Sequence, residues 1–359
     1  MRILIVKLGS IGDIVHTLPS LAAIRRALPR AKVSWVVERR AAEILRDNPL
    51  LDRLIEIDTK ALRRWRPLSG ETLLATRQQL QRLRASAFDV AVDFQGLLKS
   101  ATIARLSRAP RTYGFARQSL REPASRFLLS RTVNVPLDAN VIRKNLALAA
   151  GALGISVPSD GDAFEFPIAV SPQQEREAGD AAALAAGKFA ILNAGGGWPT
   201  KLWSAERFGA LADQLLAQHN LRSLVTYGPG ERELAESVVR ASRTGAAQSV
   251  SLSLKGFYAL ARRASLYVGG DTGPTHLAVA AGAPVVGLFG PTEWWRNGSP
   301  RAADLCVERM DIGCRTGCHR RACSVWICMD IEVARVAAAV DERLGRAAES
   351  KRVEALTIA

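Results

Sequence analysis

The sequence predicts an α/β protein of two doubly wound domains facing each other across a cleft, and three observations predict it. Short apolar runs of strand length alternate with amphipathic or small-residue runs of helical length along the chain. Several strand segments end in glycine-containing turns crowded with polar residues, and open α/β sheets place their ligands at those carboxyl ends. Finally, residues 156–172 hold Pro158, Pro167, Pro172, Gly161 and acidic residues with no helical period. That stretch divides the 359 residues into Rossmann-like domains over 1–165 and 166–335, with a C-terminal helix and tail over 336–359.

Residues 2–8 (RILIVKL) are an apolar run with one lysine, a buried first strand. The turn Gly9-Ser10-Ile11-Gly12-Asp13 follows, and Pro19 opens the amphipathic run Leu21, Ile24, Leu28. With glycines only at 9 and 12, the turn falls short of the GxGxxG dinucleotide fingerprint, so a nicotinamide enzyme is weakly supported. Asp13 stands at the carboxyl edge of this strand with His16 three residues on. A carboxylate here either caps the helix or serves as a general base facing the cleft. Residues 33–38 (VSWVVE) and 54–57 read as the next strands, and 90–93 (VAVD) as another that runs into Phe94-Gln95-Gly96. A helix then begins at Lys99 and Ser100, so Asp93, Gln95 and Lys99 lie where a strand stops and a helix starts. A short strand over 111–114 precedes a loop through Gln118, Arg121 and Glu122-Pro123, and residues 140–154 are helical up to a glycine stop.

The formal net charge of +15 calls for an acidic partner: nucleic acid, an anionic membrane surface, or a phosphorylated or carboxylated substrate. Much of the excess lies in loops holding Arg63, Arg64 and Arg66 and then Arg117, Arg121, Arg126 and Arg131. They flank the edge that carries Asp13 and read as grips for an anionic substrate. No nucleic-acid reading motif or aromatic–basic strip accompanies them, which sets nucleic acid aside. Met1-Arg2 runs straight into a strand, and no apolar run approaches the ~20 residues that span a bilayer. The expected location is therefore cytoplasmic, resting on the inner face of a membrane.

In the second half, residues 189–193 (FAILN) form a buried strand ending in Ala194-Gly195-Gly196-Gly197-Trp198-Pro199-Thr200-Lys201. A glycine-rich turn with a lysine suits phosphate contacts, because backbone N–H groups approach closely and the lysine adds charge. It lacks the ending of a Walker A loop. The strand over 223–227 leads into Gly228-Pro229-Gly230-Glu231, where Glu231 caps the next helix or binds a ribose hydroxyl. After a strand over 249–252 and a short helix comes LYVGGDTGPTHLAVAAGAPVVGLFGPT (266–292), a strand–turn–helix–turn–strand unit. Pro274 suits the first helical turn, and the helix N-terminus with the hydroxyls of Thr272 and Thr275 is an anion site.

Cys314, Cys318, Cys323 and Cys328 fall within fifteen residues, with Cys306 upstream and His319 among them. In an intracellular protein such density points to thiols or a metal rather than disulfides. The intervals of three, four and four residues match neither zinc-ribbon nor ferredoxin spacing, so reduced thiols are the default and no metal is expected.

The stretches ILIVKLGSIGDIVHTLPSL, DFQGLLKS, LNAGGGWPTKLWS and GGDTGPTHLAVAAGAPVVGLFGPT resemble the family-nine glycosyltransferases, the ADP-heptose:lipopolysaccharide heptosyltransferases. The resemblance spans nearly the whole chain. It implies a GT-B fold, an acceptor held by the N-terminal domain and ADP-heptose by the C-terminal one. It also implies inverting, metal-independent transfer of L-glycero-D-manno-heptose to the Kdo sugar of the lipid A inner core. Asp13 then matches the general base. Lys201, Thr200, Glu231, Asp271, Thr272, Gly273 and His276 fall on the donor side, and Gly12, Lys99, Arg64, Arg121 and Lys144 on the acceptor side. In the helical pattern HxVxRN of the family this chain has Asn140 and Lys144 in place of the His and Arg. The segments WVVE, RRWR and REPASRF are more similar to members that add the first heptose than to those that add the second. The partners implied are ADP-heptose, a Kdo-lipid A acceptor and an anionic inner-membrane surface.

Overall fold

A computed structural model describes residues 1–58, 81, 83, 84, 86–314, 318 and 320–358 of the chain. It comprises two compact units, Met1–Ala169 and Val170–Ala359. The division falls within the proline-bearing stretch, just before Pro172 opens a helix, Pro172–Ala183, whose first turn is capped by Ser171.

Each unit is built on a six-stranded parallel sheet. In the N-terminal unit the strands are β1 (Arg2–Val6), β2 (Lys32–Glu38), β3 (Arg53–Ile57), β4 (Val90–Asp93), β5 (Arg111–Phe115) and β6 (Arg131–Val133), in spatial order β3-β2-β1-β4-β5-β6. The C-terminal unit repeats the scheme with β7 (Phe189–Asn193), β8 (Arg222–Tyr227), β9 (Ala247–Ser251), β10 (Leu266–Gly270), β11 (Val285–Phe289) and β12 (Leu305–Glu308), ordered β12-β11-β10-β7-β8-β9. In both, strand order reverses beside the unit's first strand, between β1 and β4 and between β7 and β10. That switch point opens a crevice at the carboxyl ends of the strands.

The apolar runs form central strands because helices cover both faces of a doubly wound sheet, leaving no face for alternating polar residues. Ile3 to Val6, the whole of β4, and Ile191 and Leu192 are buried accordingly. Each valine, leucine or isoleucine among them contributes roughly 1.5–3 kcal/mol by burial. Local signals set the helix ends. Asn140 accepts the Ile142 N–H at 3.0 Å to start Val141–Leu153, and Gly154 at φ 66° stops it. The C-terminal helix runs over Val333–Ile358, so the stretch expected as helix and tail is helical as far as residue 358. No helix among the described residues is long and apolar enough to cross a membrane.

Candidate functional site

At the carboxyl edge of the N-terminal sheet, Lys7 follows β1 and is only 4% exposed. Its ammonium donates to the Phe94 carbonyl at 2.9 Å and lies 3.3 Å from Asp13 Oδ1. Gly9, at φ 144°, turns the chain sharply after β1. Asp13 then sits in the first turn of the helix Ile11–Val15, where Oδ2 accepts the Ser10 N–H at 2.7 Å and the Ser10 hydroxyl at 3.0 Å. One oxygen thus caps the helix and the other faces the ammonium, while the side chain stays 37% exposed. Burial pushes the Asp13 carboxyl up, but the Lys7 charge, the Ser10 N–H and His16 outweigh it and hold the carboxyl below its ordinary value.

The neighbouring strand ends are stitched to this turn. Asp93 is fully buried and accepts the Gln95 N–H at 2.9 Å, the Gly96 N–H at 3.3 Å and the Ser100 hydroxyl at 2.9 Å. Burial nevertheless raises it to about 6. The Gln95 side chain accepts the Leu8 N–H at 3.1 Å, tying β4 to β1. Lys99, in the helix Leu98–Leu106, reaches to 3.7 Å from the buried carboxylate of Glu38 at the end of β2. Glu122 accepts the Leu98 N–H at 2.7 Å, which fixes the loop carrying exposed Arg121 to the start of that helix. Asn145 donates to the His16 carbonyl at 3.0 Å and to the Thr17 hydroxyl at 3.2 Å. The helix bearing half-buried Lys144 is therefore fastened to the segment just after Asp13. Gly12 is buried, its carbonyl accepting the His16 N–H at 2.9 Å. Arg64 and its neighbours Arg63 and Arg66 lie outside the described residues, as does His319.

At the carboxyl edge of the C-terminal sheet, Lys201 and Asp271 are each 8% exposed and form an ion pair at 2.7 Å. Lys201 also donates to the Asp271 carbonyl at 2.8 Å, and its ammonium stands 4.0 Å from the Trp198 ring centroid. His276 Nε2 lies 3.3 Å from the other Asp271 oxygen. Burial alone would raise the Asp271 carboxyl, yet His276 and Lys201 hold it far below the ordinary range. Thr272 is the N-cap of the helix Gly273–Ala280 and donates to Asn193 Oδ1 at 3.5 Å. Asn193 in turn binds the Thr226 carbonyl at 3.1 Å, joining the ends of β7, β8 and β10.

Glu231 Oε2 accepts the Gly228 N–H at 3.0 Å and closes its own turn. Gly195 lies so close that a Cβ would come within 2.5 Å of the Glu231 carboxylate, so any side chain there would displace it. Two hydroxyls of this edge are engaged inside the fold. Thr200 donates to the Arg320 carbonyl at 2.6 Å. Thr275, expected to face an anion, is fully buried and bonded to the Gly270 carbonyl and the Tyr267 hydroxyl. The groups left to meet an anion at this turn are therefore Thr272, the helix N-terminus and Lys201.

Cys314, Cys318, Cys323 and Cys328 line one small cavity of about 20 Å³ with Thr200, Pro291 and Trp326, all as free thiols. Among the described residues no three or more Cys, His, Asp or Glu are grouped so as to hold a metal ion. The Trp326 indole donates to the Thr200 carbonyl at 3.0 Å, so the cysteine loop braces the residue before Lys201.

Residues 76–324 match the profile of glycosyltransferase family 9 (heptosyltransferase). The chain belongs to this family. The glycosyltransferase is 34% identical to lipopolysaccharide heptosyltransferase 1 of Pseudomonas aeruginosa, over 81% of this chain and 79% of that protein. Its identity to lipopolysaccharide heptosyltransferase 1 of Escherichia coli K12 is 31%, over 82% and 89%. Among solved structures it resembles E. coli heptosyltransferase WaaC with ADP, with a TM-score of 0.77 and 26% identity over 96% of this chain and 100% of that one. The two parallel sheets are those of the GT-B fold.

The residues that the sequence reading passed over are Lys7, Asn145, Asn193 and Trp198. Lys7 carried a visible signal, a lone lysine at the end of an otherwise apolar strand. The other three hold the site residues through side-chain bonds or ring contacts across the fold, which no local pattern announces.

Proposed function

We propose that this glycosyltransferase transfers L-glycero-D-manno-heptose from ADP-heptose to the Kdo of lipid A, the first heptose of the lipopolysaccharide core. The observation that carries the mechanism is the half-exposed Asp13 carboxylate held ionised beside buried Lys7. An ionised, outward-facing carboxylate accepts the proton of an acceptor hydroxyl as that oxygen attacks the anomeric carbon. The electron pair of the breaking bond leaves with ADP, and Lys201 with the N-terminus of Gly273–Ala280 offsets the charge that develops on the diphosphate. Thr200, Glu231, Asp271, Thr272 and His276 shape that donor turn. Exposed Arg121 and Lys99 meet the carboxylates and phosphates of the acceptor. Since Lys201 supplies positive charge to the diphosphate, turnover needs no metal.

The same reading places the enzyme peripherally on the anionic inner face of the inner membrane, on the cytoplasmic side. Its support is the loop after β5, where Phe127 is 73% exposed with the Arg126 guanidinium 4.5 Å from its ring centroid, between exposed Arg117, Arg121 and Arg131. The test pairs ADP-heptose with Kdo-lipid A, or with heptosylated Kdo-lipid A, in anionic vesicles. ADP release is expected with Kdo-lipid A, unchanged by EDTA, with the protein sedimenting with the vesicles at low salt. Preference for the heptosylated acceptor overturns the assignment, loss of turnover in EDTA the metal independence, and protein left in the supernatant the membrane contact.

A further inference from the structure

Lys7 is a buried cation at the edge that carries Asp13, and nothing in the transfer reaction calls on it directly. It is 4% exposed, and its ammonium is held by the Phe94 carbonyl at 2.9 Å and the Asp13 carboxylate at 3.3 Å. The Trp35 indole donates to the Lys7 carbonyl at 3.0 Å and fixes the backbone beneath the side chain. An ammonium taken out of water is costly unless paired, so a lysine here needs its carboxylates. Asp13 lies in contact, and buried Asp93, at the end of β4, adds its charge from behind. His16 nearby favours ionised Asp13, and buried Glu38 at the end of β2 pairs with Lys99. The carboxylate oxygen opposite Lys7 is tied to Ser10, so the ammonium and the turn together fix the rotation of the carboxyl plane.

We propose that Lys7 is a positioning residue for the transfer reaction, its buried ammonium orienting the Asp13 carboxylate toward the acceptor hydroxyl and keeping it ionised. The inference rests on the reading of Asp13 as the base. No bond to substrate is formed or broken at Lys7. It contributes a fixed charge whose effect on the reaction passes through Asp13.

Lys7→Met keeps the length and removes the charge, whereas Lys7→Gln retains an N–H donor for the Phe94 carbonyl without charge. For both, kcat is expected to fall roughly tenfold or more with the donor KM unchanged. The acid limb of the pH–rate profile should move up by about one pH unit or more, since the neighbouring positive charge that depresses the Asp13 carboxyl is gone. A lysine that only props the fold would lower the melting temperature and the rate but leave that limb in place. An unmoved limb in Lys7→Met, or a wild-type profile in Lys7→Gln, overturns the proposal.

Should neither variant fold, the wild-type enzyme still decides. The ¹³C carboxyl titration of Asp13, assigned by its loss in Asp13→Asn, is expected to lie below the ordinary aspartate value, and a midpoint at or above it overturns the proposal. Asp13→Ala separates the two readings. Full turnover by that variant removes the base, whereas an inactive Asp13→Ala beside an unaltered Lys7→Met removes only the role of Lys7.

Discussion

In the N-terminal unit the lysine of the Lys7–Asp13 pair is buried and the carboxylate is 37% exposed, whereas in the C-terminal unit Lys201 and Asp271 are each 8% exposed. Both pairs stand at the carboxyl edge of a parallel sheet of the same topology, beside the switch point. The difference lies in what surrounds them. Asp13 spends one oxygen on Ser10 and meets a single ammonium, so its outer side stays open to solvent. Asp271 is enclosed by Lys201 and His276, with both carboxylate oxygens engaged and little of it open to solvent. On the proposed mechanism the same two residue types supply a base in one unit and a cation mount in the other, according to which partner the fold buries more deeply.

The sharpest way to break this comparison is to remove the two carboxylates in turn. Asp13→Ala is expected to lower kcat by about 10²–10⁴-fold while ADP affinity stays within about twofold, as loss of a general base does. Turnover and ADP binding measured on one preparation check it, and comparable losses in both would erase the distinction between the pairs. Asp271→Ala leaves the Lys201 ammonium without its buried partner, which costs roughly 3–5 kcal/mol of stability. Weaker ADP binding should accompany the lower melting temperature, because Lys201 loses its carboxylate partner and keeps only the backbone carbonyl of residue 271 as an anchor on that side. Retained ADP affinity would mean that Asp271 does not mount the lysine. Because the Asp271 carboxyl is depressed in the folded protein, its stabilisation is present above the ordinary value of 3.8 and is lost as pH falls through the much lower folded value. The stability gap between wild type and Asp271→Ala should therefore hold steady above about pH 4 and narrow as pH falls below it.

The central strands and their glycine turns were legible in the sequence because buried parallel strands are continuous apolar runs and turns need small residues. The edge strands β6 (RTV) and β12 (LCVE) were not, since each is short and only partly buried, with no run to mark it. Asp13 and Lys201 stood out because each follows a strand in a glycine-bearing turn. Thr275 was read as facing a ligand because a hydroxyl in the first helical turn looks available. Its rotation onto the Gly270 carbonyl and Tyr267 hydroxyl follows from packing against β10, which a one-dimensional pattern does not contain. The surroundings of Lys7 are hidden for the same reason, since Asp93 and Phe94 come from the end of β4 and the residue after it, more than eighty residues away.

The smallest expected effect concerns a third carboxylate, and its sign is opposite to that of Asp271. Burial raises Asp93 to about 6 in the folded protein against 3.8 ordinarily, despite three hydrogen bonds and the Lys7 charge that favour the ionised form. Its contribution is therefore fully present below pH 3.8 and is lost as pH rises through about 6, on the order of 2–3 kcal/mol across that window. Asp93→Asn removes the titration, so thermal unfolding of wild type and variant at pH 4.5 and pH 7.5 isolates it. Wild type should lose ground relative to Asp93→Asn by a few degrees at the higher pH. A constant difference between the two proteins would mean that Lys7 and the Ser100, Gln95 and Gly96 donors satisfy Asp93 as an ordinary carboxylate. In that case the ammonium is shared between two anions, and the N-terminal pair differs less from its C-terminal counterpart than its exposure suggests.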